Sequence, residues 1–269
     1  MITTEQYAQL PAVEADAVYV YGDDPNQRVD LYLPTGDGTP FPVVVLIHGG
    51  CWRDLYSAKP LGGLCRALNA VGVAVWNVEY RRNGNGGGFP NTMLDVGRGT
   101  DLLREAAREH ALDLTRVVSM GHSAGGQLAL WLAARAGLRS DSPVYVDNPL
   151  RLRGVVGLAG IIDLIGAAGA GLCGENLSRV MGGLPVDVPE HYQDASPMER
   201  LPLGVRQIHL VGEHDTGILA NIQAYVNAAV EAGDEVRLEI LPEAGHFELV
   251  VAGTAAWTRV EQAVLSLVG

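Results

Sequence analysis

Val117-Val118-Ser119-Met120-Gly121-His122-Ser123-Ala124-Gly125-Gly126 is the stretch on which the reading of this chain turns. An apolar run ends in a serine set between small residues, and Gln127 to Arg135 then reads as a helix, so the stretch is a strand that turns sharply into a helix. Gly121 and Gly125 carry no side chains, which lets the two elements approach closely while Ser123 occupies a strained backbone conformation at the apex. A helix that begins just after Ser123 aims its free N–H groups and positive dipole end at the place where negative charge would develop. A tight turn with no chemistry is the plain alternative, and the rest of the chain decides between the two.

Pro42-Val43-Val44-Val45-Leu46-Ile47 is a short apolar run rich in β-branched residues, the pattern of a strand buried on both faces of a parallel sheet. It runs straight into His48-Gly49-Gly50-Cys51-Trp52. Further strand candidates are Val73 to Tyr80, Gly154 to Ala159, Gln207 to Val211 and Glu235 to Ile240, with helix-like segments between them. That alternation predicts an α/β fold, a mostly parallel central sheet flanked by helices. Ala17 to Tyr21 and Arg28 to Leu33 alternate apolar with polar residues around Gly22-Asp23-Asp24-Pro25-Asn26, which predicts an N-terminal antiparallel hairpin. At 269 residues the chain suits one domain spanning 1–269. Residues 160–202 are rich in Gly, Pro and small side chains and are expected to form a cap-like insertion, whose Ile161, Leu164, Ile165, Leu172 and Met181 either line a pocket or pack locally.

Gly121-His122-Ser123-Ala124-Gly125 has the G-x-S-x-G form that presents a nucleophilic serine in α/β-hydrolases. A strand followed by His48-Gly49-Gly50 resembles the loop after the third strand in esterases related to the hormone-sensitive lipases, and His48-Gly49-Gly50-Cys51-Trp52 is similar to the kynurenine formamidase (arylformamidase) branch. This resemblance, which spans His48 to His246, implies the α/β-hydrolase fold with Ser123 as nucleophile. It also implies an oxyanion hole formed by the N–H groups of Gly50, Cys51 and Ala124. The family often has a third glycine where Cys51 stands, so which two loop amides serve stays open. The implied reaction cleaves a small carboxylic ester through an acyl-enzyme on Ser123, with a formamide such as N-formylkynurenine as the alternative substrate. The implied partner is a small-molecule acyl substrate, and the mechanism needs no metal or organic cofactor. Trp52 and Tyr56, just beyond the loop, are candidate substrate contacts, with buried packing the alternative for Trp52. His48 reads as a structural residue of the loop.

A hydroxyl is a poor nucleophile at neutral pH, so the chemistry also requires a base and a residue to orient it. In the family these follow the serine in the order acid, then histidine, each just past a strand. Asp215, after the strand candidate Gln207 to Val211, is the expected acid, with Glu213 and Asp163 as alternatives. His246, after a glycine in Leu241-Pro242-Glu243-Ala244-Gly245-His246-Phe247, is the expected base. His48 and His110 precede the serine; His122 adjoins it and is expected to point away; His214 lies beside the acid candidate. The contrasting class is a ligand receptor on the same fold, which characteristically lacks a triad member, whereas Ser123, Asp215 and His246 are all present.

With 31 acidic against 19 basic residues, the formal net charge of -12 argues against nucleic acid or an anionic membrane as partner. Cys51, Cys65 and Cys173 show no C-x-x-C spacing and are expected as free thiols of a reducing compartment. Met1-Ile2-Thr3-Thr4-Glu5 lacks the pattern of a secretory signal, and no apolar run reaches the length of a membrane span, so a cytoplasmic location is expected. Arg81 and Asp95 are expected to form a structural ion pair.

Overall fold

The strands are β1 (Ala17–Val20), β2 (Arg28–Tyr32), β3 (Phe41–Ile47), β4 (Ala74–Val78), β5 (Leu112–His122), β6 (Gly154–Leu158), β7 (Arg206–Gly212) and β8 (Val236–Leu241) in the computed structural model, which describes residues 1–36 and 40–269. They form a single sheet in the order β1-β2-β4-β3-β5-β6-β7-β8. The β1–β2 and β2–β4 pairs are antiparallel, and every pairing from β4 across to β8 is parallel. The mostly parallel sheet and the N-terminal hairpin are therefore as the sequence predicts. Val43 to Ile47 and all of β4 and β6 are buried, as strands covered on both faces must be.

The helices are α1 (Thr4–Ala8), α2 (Gly62–Ala70), α3 (Asn91–Asp101), α4 (Leu103–Glu109), α5 (Ala124–Ala134), α6 (Leu164–Gly169), α7 (Glu175–Met181), α8 (Pro189–Ala195), α9 (Thr216–Glu231) and α10 (Ala255–Val268). A Cβ at Gly154 would meet Leu267 of α10 at 3.2 Å, and one at Gly157 would meet Leu130 of α5 at 3.6 Å. Strand positions three apart point to opposite faces, so α10 and α5 cover β6 from opposite sides. Among the described residues no helix is long and apolar enough to cross a membrane.

Parallel pairing puts the C-terminal ends of β3, β5, β7 and β8 at one edge of the sheet, the usual place for a ligand crevice in such folds. His48 to Trp52 follow β3, Ser123 follows β5, Asp215 lies just past β7 and His246 lies past β8.

Between β6 and β7 the chain forms α6, α7 and α8. Ile161, Leu164 and Met181 are buried in the core, Leu172 packs against it and Ile165 is exposed, so these side chains pack locally. The cysteines differ from expectation. Cys51 and Cys173 form a disulfide with Cα atoms 5.5 Å apart, and only Cys65, buried on α2, is free. A sequence separation of 122 residues hid a pairing that appears only once the loop after β3 meets the segment before α7. The argument from free thiols to a reducing compartment therefore fails.

The turn between β5 and α5 explains its glycines. Ser123 has φ 55° and ψ -121°, a sparsely populated conformation for a residue with a side chain. A Cβ at Gly121 would lie 2.0 Å from the Gly125 carbonyl oxygen, and one at Gly125 would lie 2.2 Å from the Ile47 carbonyl oxygen. Both obstacles are backbone and cannot rotate away. Gly121→Ala and Gly125→Ala should each cost about 3 kcal/mol or more, read as a large drop in melting temperature. Gly137→Ala, where an added Cβ meets nothing within 4 Å, should melt close to wild type. Unchanged melting of Gly121→Ala would contradict this packing.

Candidate active site

Ser123 is buried at the base of a cleft, with its backbone fixed on both sides. Its N–H donates to the Leu158 carbonyl at 2.9 Å, and its carbonyl accepts from Gly126 at 2.9 Å and Ile161 at 3.2 Å. These bonds span the β5–α5 turn and the end of β6, so the unusual dihedral angles are held from outside the turn.

The acid and the base reach the cleft through two loops zipped together by backbone. Glu213 N–H donates to Leu241 at 3.0 Å, and His214 N–H donates to Ala244 at 3.1 Å. His246 Nδ1–H donates to Asp215 Oδ2 at 2.5 Å. Asp215 stands at the N-cap of α9, where an aspartate normally accepts a helix N–H; its side chain makes no capping bond and serves His246 instead. Asp163 does the opposite. Its Oδ1 accepts from Gly166 N–H at 2.9 Å as the N-cap of α6, so its carboxylate is spent on the helix. His214 is exposed, 3.9 Å from Glu213.

His122 departs from expectation. Its ring lines the cleft, with its centroid 4.5 Å from that of His246, and its Nε2–H donates to the His246 carbonyl at 2.9 Å. Burial, with the neighbouring His246 second, pushes its pKa well below the usual histidine value. A neutral ring can thus anchor the base loop without adding charge.

The loop after β3 carries three successive positive φ angles, Gly50 at 112°, Cys51 at 48° and Trp52 at 53°. Only the first is a glycine, so the other two are held by contacts. Asn83 N–H donates to the Trp52 carbonyl at 3.0 Å, the Asn176 amide donates to the Cys51 carbonyl, and the disulfide holds the Cys51 side chain. Among the described residues the N–H groups of Gly50 and Cys51 meet no acceptor. Ala124, the first residue of α5, has no intrahelical acceptor either. Trp52 does not line the cleft: it is 1% exposed, and its indole N–H donates to Gln127 Oε1 at 3.2 Å. Tyr56 does line the cleft, its ring lying where a Cβ on Gly50 would be.

His48 is buried beneath this loop. Its Nδ1–H donates to the Gly49 carbonyl at 2.7 Å, and its Nε2 lies 3.0 Å from Glu79, which also pairs with Arg82. Burial alone would push the Glu79 carboxyl up, but His48, the Arg82 guanidinium and the Ala58 N–H outweigh it and hold the pKa at about 2. Arg81 and Asp95 form the expected ion pair through two bonds, at 2.7 and 2.9 Å.

The cleft, about 220 Å³, has walls that sequence reasoning missed. Tyr7 of α1 stacks on Phe247 with centroids 4.8 Å apart, and Thr4 and Tyr7 both line the site. Thr3 and Gln6 close a capping box at the start of α1, a signature visible in the sequence although its destination is not.

Fold and geometry together define an α/β-hydrolase with a serine, a histidine and a carboxylate gathered at one sheet edge. The chain belongs to the BD-FAE family, which it matches over residues 29–202. It is 34% identical to a probable isoprenylcysteine alpha-carbonyl methylesterase ICME of Oryza sativa subsp. japonica over 111 residues, 41% of this chain and 26% of that protein. It is 28% identical to a kynurenine formamidase of Salmo salar over 145 residues, 54% of this chain and 45% of that protein. The chain thus spans less than half of the length of either relative. Its fold is shared with an esterase B from Lactobacillus rhamnosis, at a TM-score of 0.81 and 19% identity over 97% of this chain and 89% of that one. A carbohydrate esterase from gut microbiota aligns with a TM-score of 0.78 at 17% identity, over 94% and 97% of the two chains.

The Glu79 cluster supports the loop after β3, and its effect on stability has a definite sign. The folded pKa of about 2 lies below the unfolded value of 4.5, so the stabilisation is fully present above 4.5 and is lost as pH falls toward 2. Urea midpoints measured through this window should fall for wild type and much less steeply for Glu79→Gln, which starts less stable. Parallel curves would remove Glu79 from this role.

Proposed function

We propose that the protein is a serine hydrolase that cleaves a small carboxylic ester through an acyl-enzyme on Ser123. The observation that carries this reading is the 2.5 Å bond from His246 Nδ1–H to Asp215, on the same cleft as a serine in a strained strand-to-helix turn. With Nδ1–H held by Asp215, the Nε2 lone pair is available as base. Ser123 Oγ attacks the acyl carbon and its proton passes to His246 Nε2. The oxyanion is received by backbone N–H groups among Gly50, Cys51 and Ala124. Collapse breaks the bond to the leaving alcohol, which takes the proton from His246. Water then attacks the acyl-enzyme by the same route in reverse and releases the acid.

Asp215→Asn should lower kcat by on the order of 10⁴-fold with near-wild-type melting. Asp163→Asn should leave both turnover and melting near wild type, because the asparagine oxygen caps α6 about as well as the aspartate. The reverse pattern would transfer the role of acid to Asp163.

Formamide hydrolysis is the second reading, favoured by the small cleft and by the formamidase relatives. Two measurements test both readings: kcat/KM for p-nitrophenyl acetate beside N-formylkynurenine, and covalent labelling by a fluorophosphonate, each with Ser123→Ala as the blank. Ester turnover and labelling that both vanish in Ser123→Ala support the proposal, and a strong preference for the formamide selects the second reading. Wild-type protein that neither labels nor turns over any substrate, yet binds ligand, would make it a receptor.

A further inference from the structure

We propose that the substrate carries a carboxylate and that Arg53 receives it; this rests on the reading of the cleft as a hydrolase site. Arg53 lies two residues past Cys51 on a braced backbone. Its N–H donates to the Gly50 carbonyl at 3.0 Å, its carbonyl accepts from Tyr56 at 3.3 Å, and it forms a parallel bridge with Asn83. The side chain is exposed and lines both the catalytic cleft and an outer groove of about 640 Å³. Among the described residues the guanidinium makes no ion pair and no hydrogen bond.

An unpaired cation at this mouth stands out in a chain whose net charge is -12. The carboxylates nearby, Asp54 and Glu175, border the outer groove and not the catalytic cleft. Glu175 pairs with Arg179 at 2.8 Å, and Asp54 lies against Gly84, where a Cβ would meet its Oδ2 at 2.3 Å. Among the described residues no acidic side chain lines the catalytic cleft itself, Asp215 included. Among the described residues, an anion entering the cleft therefore meets one cation and no carboxylate. A guanidinium offers a planar fork that matches a carboxylate with two parallel bonds. The substrate class is a half-ester of a dicarboxylic acid, or an ester or formamide whose leaving group bears the carboxylate.

Two matched pairs of esters test the contact: monophenyl glutarate against phenyl valerate, and 3-acetoxybenzoate against phenyl acetate. At low ionic strength wild type should favour the anionic member of at least one pair by roughly tenfold or more in kcat/KM. Added salt should shrink that ratio, Arg53→Gln should abolish it and Arg53→Lys should restore part of it. Neutral esters turned over as well as anionic ones in both pairs, or a preference that survives Arg53→Gln, would overturn the proposal. The same compounds titrated calorimetrically into Ser123→Ala, with and without Arg53→Gln, read the contact without turnover. Tighter anion binding that depends on Arg53 supports the contact even where hydrolysis fails, and equal affinities refute it. Failure of the hydrolase reading and failure of the anion contact thus give different results.

Discussion

Close approach of three backbones at the end of β5 is the constraint on which the rest of the structure depends. Gly125 lies against the carbonyls of Ile47 and His48, Gly121 lies against the carbonyl of Gly125, and a Cβ at Gly126 would come within 2.6 Å of the Gly160 Cα. The β5–α5 turn, the end of β3 and the end of β6 are therefore packed backbone to backbone. Such contacts have no soft side chain between them, so the relative position of the three elements is set within narrow limits. That wedge places Ser123, the N–H groups after β3 and the start of α5 around one point.

The loop after β3 is stabilised from below and from the side. Below it, the buried pair of Glu79 and Arg82 is acceptable in the interior because each charge has its counterion and the carboxylate also meets His48 and the Ala58 and Tyr80 N–H groups. From the side, the Cys51–Cys173 disulfide ties it to the segment before α7 and the Asn176 amide ties it to the first turn of α7. Gln127 on α5 links the same regions, accepting from Trp52 and donating to the Ala195 carbonyl at 2.8 Å. Residues 160–202 thus brace the loop after β3 from the side. Among the described residues they do not line the catalytic cleft, whose walls include Tyr7, Tyr56 and Phe247, while Glu175, Asn176 and Arg179 border the outer groove.

Legibility in the sequence followed the range of the interactions. The strands were readable because burial on both faces leaves continuous apolar runs such as Val43 to Ile47, and the order of serine, acid and histidine was readable because each follows such a run. Strand order favoured Asp215 over Asp163 without removing the latter, since both stand at helix starts; the direction of each side chain tells a cap from a partner for His246. Trp52 stayed open between packing and contact, and His122 was misjudged, because a sharp turn does not keep the alternation of a strand. Cys173 and Tyr7 were out of reach, because their partners lie far away in the chain and no local period marks them.

Two aspartates at equivalent local positions therefore carry different burdens, and the difference lies in the loops. At α6, Asp163 caps a short helix whose backbone N–H groups would otherwise lack acceptors. At α9, a helix of 16 residues packs against β7 and β8 and has less need of a cap, which frees Asp215 to face the loop after β8. Giving up a cap at that helix costs about 1 kcal/mol, and the bond to His246 offsets it. The same bond fixes the tautomer of the imidazole, so a local loss in the helix is coupled to orientation of the base. His122 then holds the other side of that loop through the His246 carbonyl, so the imidazole is oriented by one carboxylate and one neutral ring, neither of which enters the cleft as a negative charge.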